Sequence, residues 1–72
     1  MNMYQWFVFE GDNEFPSASG TAPNTADAGT EMMHYTMMYG QDGPVRYRME
    51  RDGEVLAVGS WDKLAALQSS VD

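Results

Sequence analysis

Residues 24–59, NTADAGTEMMHYTMMYGQDGPVRYRMERDGEVLAVG, decide the fold: they hold a helical run and a hairpin, and the rest of the chain pairs with them or decorates them. In the second half, Val45, Tyr47 and Met49 alternate with Arg46, Arg48 and Glu50. A period of two belongs to a strand with one buried face. Asp52-Gly53 then supplies the turn, because a two-residue type I′ loop needs positive φ at both central residues and twists with its strands. With Arg51 and Glu54 flanking that loop, Met49 is expected opposite Leu56 and Tyr47 opposite Val58, which gathers the large apolar side chains on one face. Arg46, Arg48, Glu50, Val55 and Ala57 are left on the other, a mixed and half-covered face.

The first half reads as a helix. Asn24 is its N-cap and Asp27 stands at N3, where a carboxylate also suits the positive end of the macrodipole. Gly40 is the stop, and Pro44 cannot continue a helix. At 100° per residue, Ala28, Met32, Tyr35 and Tyr39 share one arc, with Gly29 and Thr36 on its flank and Met33 further round. Asp27, Glu31 and His34 take the opposite side, and Met37 and Met38 lie outside the core arc.

Working outward, Met3 to Glu10, MYQWFVFE, is aromatic and β-branched and reads as a strand whose two faces both want cover. It is expected to be internal or covered on both faces, and not an exposed edge. Residues 11–23, GDNEFPSASGTAP, turn abruptly to Gly, Pro, Ser and acids, and are expected to form a long flexible acidic loop. Beyond the hairpin, SWDKLAALQSS reads as a short terminal helix with Ser60 as N-cap and Trp61, Leu64 and Leu67 as its apolar stripe, packed on the sheet or the first helix. The expected architecture is a single α+β domain over residues 1–72 in the order β-α-β-β-α: a three-stranded sheet, one main helix packed on it, and a short C-terminal helix. Pattern does not decide strand order. The preferred arrangement is a right-handed crossover through the helix, with the last strand between the other two.

The chain has 72 residues and no cysteine, so neither disulfides nor a cysteine-ligated metal can support it. Four Lys and Arg against eleven Asp and Glu give a formal charge of −7. That balance argues against direct binding to nucleic acid, whose phosphates need a basic surface, and against anionic membranes. An acidic protein is drawn instead to the basic clefts that bind polyanions. The first residues, MNMYQWFVFEGD, lack the basic region of a signal peptide and no stretch could span a bilayer, so a cytoplasmic location is expected.

No residue pattern points to catalysis, and the protein is expected not to be an enzyme. His34 is the sole histidine, with no cysteine or second histidine to complete a metal site. A lone histidine also gives little support to a nucleophile-base pair. Ser60-Trp61-Asp62-Lys63 spells S-x-x-K, but the wider context of that motif is missing and the serine suits a helix cap. Phosphate-binding glycine loops are absent, and Asp12-Asn13-Glu14 lacks calcium-loop spacing. No cofactor is expected.

The acids bunch at Glu10, Asp12 and Glu14, and again at Asp27 and Glu31. The plain reading is a set of solvated residues at turns and helix starts. The functional reading is an anionic surface that enters a basic site on a partner, joined by Met37 and Met38 as adaptable contact residues. In size, acidity, lack of cysteine and strand-helix-hairpin layout, the whole chain resembles the small phage-encoded inhibitors of bacterial defence, the anti-CRISPR proteins in particular. They share no sequence motif, so the resemblance assigns no residue a role. It implies a protein that works by binding, often by covering a nucleic-acid site on a CRISPR effector subunit with an acidic face.

The expected function is therefore a non-enzymatic inhibitor that competes with nucleic acid for a basic cleft, with Glu10, Asp12, Glu14, Asp27, Glu31, Met37 and Met38 as the binding residues. The alternative is a phage or mobile-element structural or assembly protein that self-associates through a sheet edge and the exposed methionines. A monomer or weak homodimer is expected.

Overall fold

The computed structural model of the chain describes residues 3–69. Four strands and two helices follow one another: β1 (Tyr4–Glu10), β2 (Ala18–Ala22), α1 (Thr25–Tyr39), β3 (Val45–Arg51), β4 (Glu54–Trp61) and α2 (Lys63–Ser69). The strands form one antiparallel sheet in the order β2-β1-β3-β4, with α1 packed across β1, β2 and β3. The α+β class, the main helix and an internal first strand match the expectation from sequence. Strand number and order do not.

The difference begins at β2, inside the stretch expected to be a loop. Its sequence, ASGTA, has little intrinsic strand preference. What makes it a strand is its neighbour. Trp6 stands directly across from Gly20, and its indole lies over the bare glycine in the space where a Cβ would sit. The hydrogen bond from Ser17 N–H to the Val8 carbonyl, 2.7 Å, draws the preceding loop onto β1.

An extra strand also corrects the expected order. The β1-β2 hairpin returns the chain to the Tyr4 end of the sheet, where Ala22 faces Tyr4, so α1 starts there and runs back to the Glu10 end. β3 therefore begins beside Glu10 and runs antiparallel to β1, with Glu10 opposite Val45 and Tyr4 opposite Arg51. Without β2 the same helix would have delivered a parallel strand. The parallel crossover rule does not apply, and β3 rather than β4 takes the interior position.

α1 forms as its sequence indicates. The Asn24 side chain accepts the Asp27 N–H at 2.8 Å, and Ala28, Met32 and Thr36 are buried. Thr36 donates its hydroxyl to the Met32 carbonyl at 2.8 Å, so its buried oxygen is satisfied within the helix. Tyr35 stacks on Trp6 with ring centroids 5.2 Å apart, and Tyr39 donates to the Ser17 carbonyl. Trp6, Val8, Ala22, Ala28, Met32, Val45 and Met49 make up the core.

The β3-β4 hairpin has the expected turn, with Asp52 at φ 53° and Gly53 at φ 83°. Its register is corrected by a bulge. Arg51 pairs with Glu54 and Glu50 with Val55, but Met49 pairs with Ala57, leaving Leu56 as the extra residue. Tyr47 consequently faces Gly59, not Val58, and its ring occupies the space a side chain at Gly59 would need. Val58 moves to the other face beside Arg48. Pairing also continues through Ser60 and Trp61, which were expected to open the terminal helix. Trp61 packs on Gly40, and Asp62 replaces Ser60 as the cap of α2, accepting the Leu64 N–H at 3.1 Å.

Candidate functional site

The face of the sheet turned away from α1 has no second layer of secondary structure among the described residues. Its cover comes from arginine. Arg46 lies over the Phe9 ring at 5.1 Å, and Arg48 lies over Phe7 at 5.1 Å and Phe9 at 5.4 Å. These are cation–π distances. The result is that Phe9 is 7 % exposed although it points away from the core. This answers the need for cover on both faces of β1. Arg48 Nε is 2.6 Å from Glu50 Oε2, while Arg51 donates to the Tyr4 hydroxyl at 3.3 Å. That hydrogen bond is the chief cause that pushes the Arg51 guanidinium above its ordinary value.

Arg46 also holds the loop between β1 and β2. Its Nε donates to the Gly11 carbonyl at 3.0 Å and its Nη2 to the Asn13 carbonyl at 2.7 Å. Gly11 N–H donates to the Pro44 carbonyl, Asn13 N–H to the Glu10 carbonyl, and Ser17 Oγ to Glu10 Oε1 at 2.7 Å. The loop is thereby fastened to the sheet end where β1 finishes and β3 begins.

The acids gather at that end. Glu10, Asp12 and Asp42 line one hollow of about 310 Å³ together with Tyr39 and Pro44. Asp12 and Glu14 line a second beside Phe9, Arg46 and Arg48, and Asp42 and Asp62 a third under α2. α1 ends here too, at Gly40, with no basic residue in its last turn, so its carbonyl pole adds to the negative potential. Of the acids singled out from sequence, Glu10, Asp12 and Glu14 are brought together. Asp27 stands in the first turn at the far end of α1, and Glu31 follows it on the exposed helix face. Asp42 and Asp62, distant in sequence, join the cluster through the fold alone.

Met37 and Met38 are 50 % and 46 % exposed. At helical spacing Met38 continues the outward stripe of Asp27, Glu31 and His34, whereas Met37 stands on the flank of the helix, 100° away. Both lie in the last turn of α1, which ends at the acidic end of the sheet. His34 meets the edge of the Tyr35 ring. Among the described residues, no three His, Asp or Glu side chains come close enough to hold a metal ion, and no helix is long and apolar enough to cross a membrane. No family model, curated protein or solved structure matches this chain.

Proposed function

We propose that this protein is a non-enzymatic inhibitor that lodges its acidic end in a basic, nucleic-acid-binding cleft of a partner protein. The observation that supports the reading is the convergence of Glu10, Asp12, Glu14, Asp42 and Asp62 at the end of the sheet where α1 also terminates. Arg46, Arg48 and Lys63 also line these hollows and keep their charge, but the five carboxylates outnumber them. Carboxylates on short, fastened loops present fixed negative charge, and such a surface attracts a basic cleft over long range and excludes the phosphates that normally occupy it. Asp27, in the first turn of α1, and Glu31, midway along it, contribute to the overall field and not to the contact. A CRISPR effector subunit is the partner class that the resemblance to anti-CRISPR proteins suggests.

The test is binding to a panel of purified CRISPR effector complexes, with and without their guide and target nucleic acids, at two salt concentrations. A complex that the protein and the nucleic acid occupy in competition is expected, weakening at least about tenfold when Asp12, Glu14 and Asp42 are changed to Lys. Binding that ignores salt and charge reversal, or that proceeds with nucleic acid in place, would overturn the mode of action. A panel that yields no binder would overturn the partner class.

A further inference from the structure

The two edges of the sheet are built differently. β2 is five residues of small side chains, with Pro16 and Pro23 close on either side and α1 above it. Short edges and flanking prolines are how proteins keep a sheet from recruiting further strands. β4 carries almost none of this protection. It is eight residues long, holds no proline, and is free of charge from Val55 to Trp61 in a chain with fifteen charged residues. Val55 is 52 % exposed and Val58 is 68 % exposed. α1 rests on β1, β2 and β3 and leaves Ala57, on the helix side of β4, exposed, while Gly59 and Trp61 beyond it are half-buried. The bulge at Leu56 lies next to the turn, so the length from Ala57 to Trp61 remains regular.

We propose that β4 is the pairing edge for a second copy of this chain: two molecules join β4 to β4, antiparallel about a two-fold axis, into one eight-stranded sheet. An antiparallel edge is complementary to itself, because each strand offers the other the same unpaired N–H and C=O groups. Charge also selects a second copy and this edge. Two molecules of formal charge −7 repel each other wherever their acids meet, and the run from Val55 to Trp61 puts none in the contact. At the ends of that run the charges are opposite. Glu54 is the one charged residue of β4, and Lys63, the only lysine in the chain, follows two residues after the strand. Antiparallel pairing brings the start of one β4 to the end of the other, so Glu54 of each copy is placed toward Lys63 of its partner, twice by symmetry. Asp62, between them in sequence, accepts the Leu64 N–H through Oδ1 and keeps its charge, so it partly offsets Lys63 at that end. Two-fold pairing uses both β4 edges, and the remaining edges are the protected β2 strands, so assembly stops at the dimer.

Asp62 joins the acidic end to this contact, whereas Glu10 and Asp12 stand on β1 and its loop two strands away, and the dimer neither requires nor excludes the inhibitor reading. Sedimentation of the full chain across the accessible concentration range is expected to show a rise from 8.1 kDa to twice that mass and no further. Val58→Lys, at an exposed side chain, should leave the circular dichroism unchanged and keep the protein monomeric. Glu54→Lys or Lys63→Glu alone should weaken the dimer by about fivefold, and the double reversal should restore it. Met38→Gln, on the back of α1, should have no effect. A monomer at every concentration would overturn the proposal, as would a mass that climbs past the dimer, a dimer indifferent to Val58→Lys, or single reversals that the double reversal does not repair.

Discussion

At Gly53 the demand on the residue is conformational. Its φ of 83° lies where L side chains are strained, and nothing within 4 Å would obstruct a Cβ. Gly53→Val should therefore cost about 1–2 kcal/mol through the backbone alone, read as a lower denaturant midpoint with an unchanged slope. Gly40 is the opposite case. Its φ is −71°, which any residue adopts, but a Cβ there would run into the Trp61 ring. Overpacking costs about 1–3 kcal/mol and the stiffer unfolded chain returns about 0.4–1, so Gly40→Ala should destabilise by about 1 kcal/mol. In a Trp61→Ala background the same substitution should cost less, with only the Thr36 carbonyl, 2.8 Å from that Cβ, left to resist it. A cycle of the two changes separates the steric cause from any loss of helix capping.

Among the elements, the loop between β1 and β2 depends most on one side chain. Arg46 spans from the Phe9 ring to the carbonyls of Gly11 and Asn13, fastening the segment that carries Asp12 and Glu14. Because the guanidinium is solvent-accessible, Arg46→Ala should lower global stability by only about 1 kcal/mol. Its larger effect should be local: amide exchange at residues 11–15 should speed up markedly while that of β3 and α1 changes little. Arg46→Lys should not rescue the loop, since an ammonium cannot cover the ring and reach both carbonyls as a planar fork does. Uniform acceleration across all elements would mean that Arg46 supports the sheet and not the loop.

For the whole molecule, the excess of eleven acids over four basic residues is a repulsion that folding concentrates. Added salt screens it over about 10 Å at 0.1 M, so the thermal midpoint should rise as sodium chloride is raised from low to moderate ionic strength. Partner binding through the acidic end should move the other way and weaken over the same range, chiefly through a slower on-rate. Opposite salt responses of stability and binding, measured on the same preparation, would locate the excess charge in function. A thermal midpoint that falls with salt would show that specific ion pairs, not net repulsion, govern the charge term.

The amino-acid sequence by itself determined what a few adjacent residues can settle. Asn24 caps α1 and Asp52-Gly53 turns the hairpin because capping and turn geometry involve groups within four residues of one another. The alternation along β3 and the helical spacing of Ala28, Met32 and Thr36 likewise follow from local side-chain periods. The excess of acid was equally legible. Tertiary structure alone decided the rest. ASGTA became β2 because Trp6 needed a bare glycine beneath its ring, and that one strand reversed the chain, made β1 and β3 antiparallel and left β4 on the edge. The bulge at Leu56 arose because Tyr47 required Gly59 across from it. Through the same reversal Asp42 and Asp62 came to Glu10, Asp12 and Glu14, while Asp27 went to the far end. The physical reason is common to all of these: each is a contact between side chains far apart in the chain, and no local period or turn signal records which ones will meet.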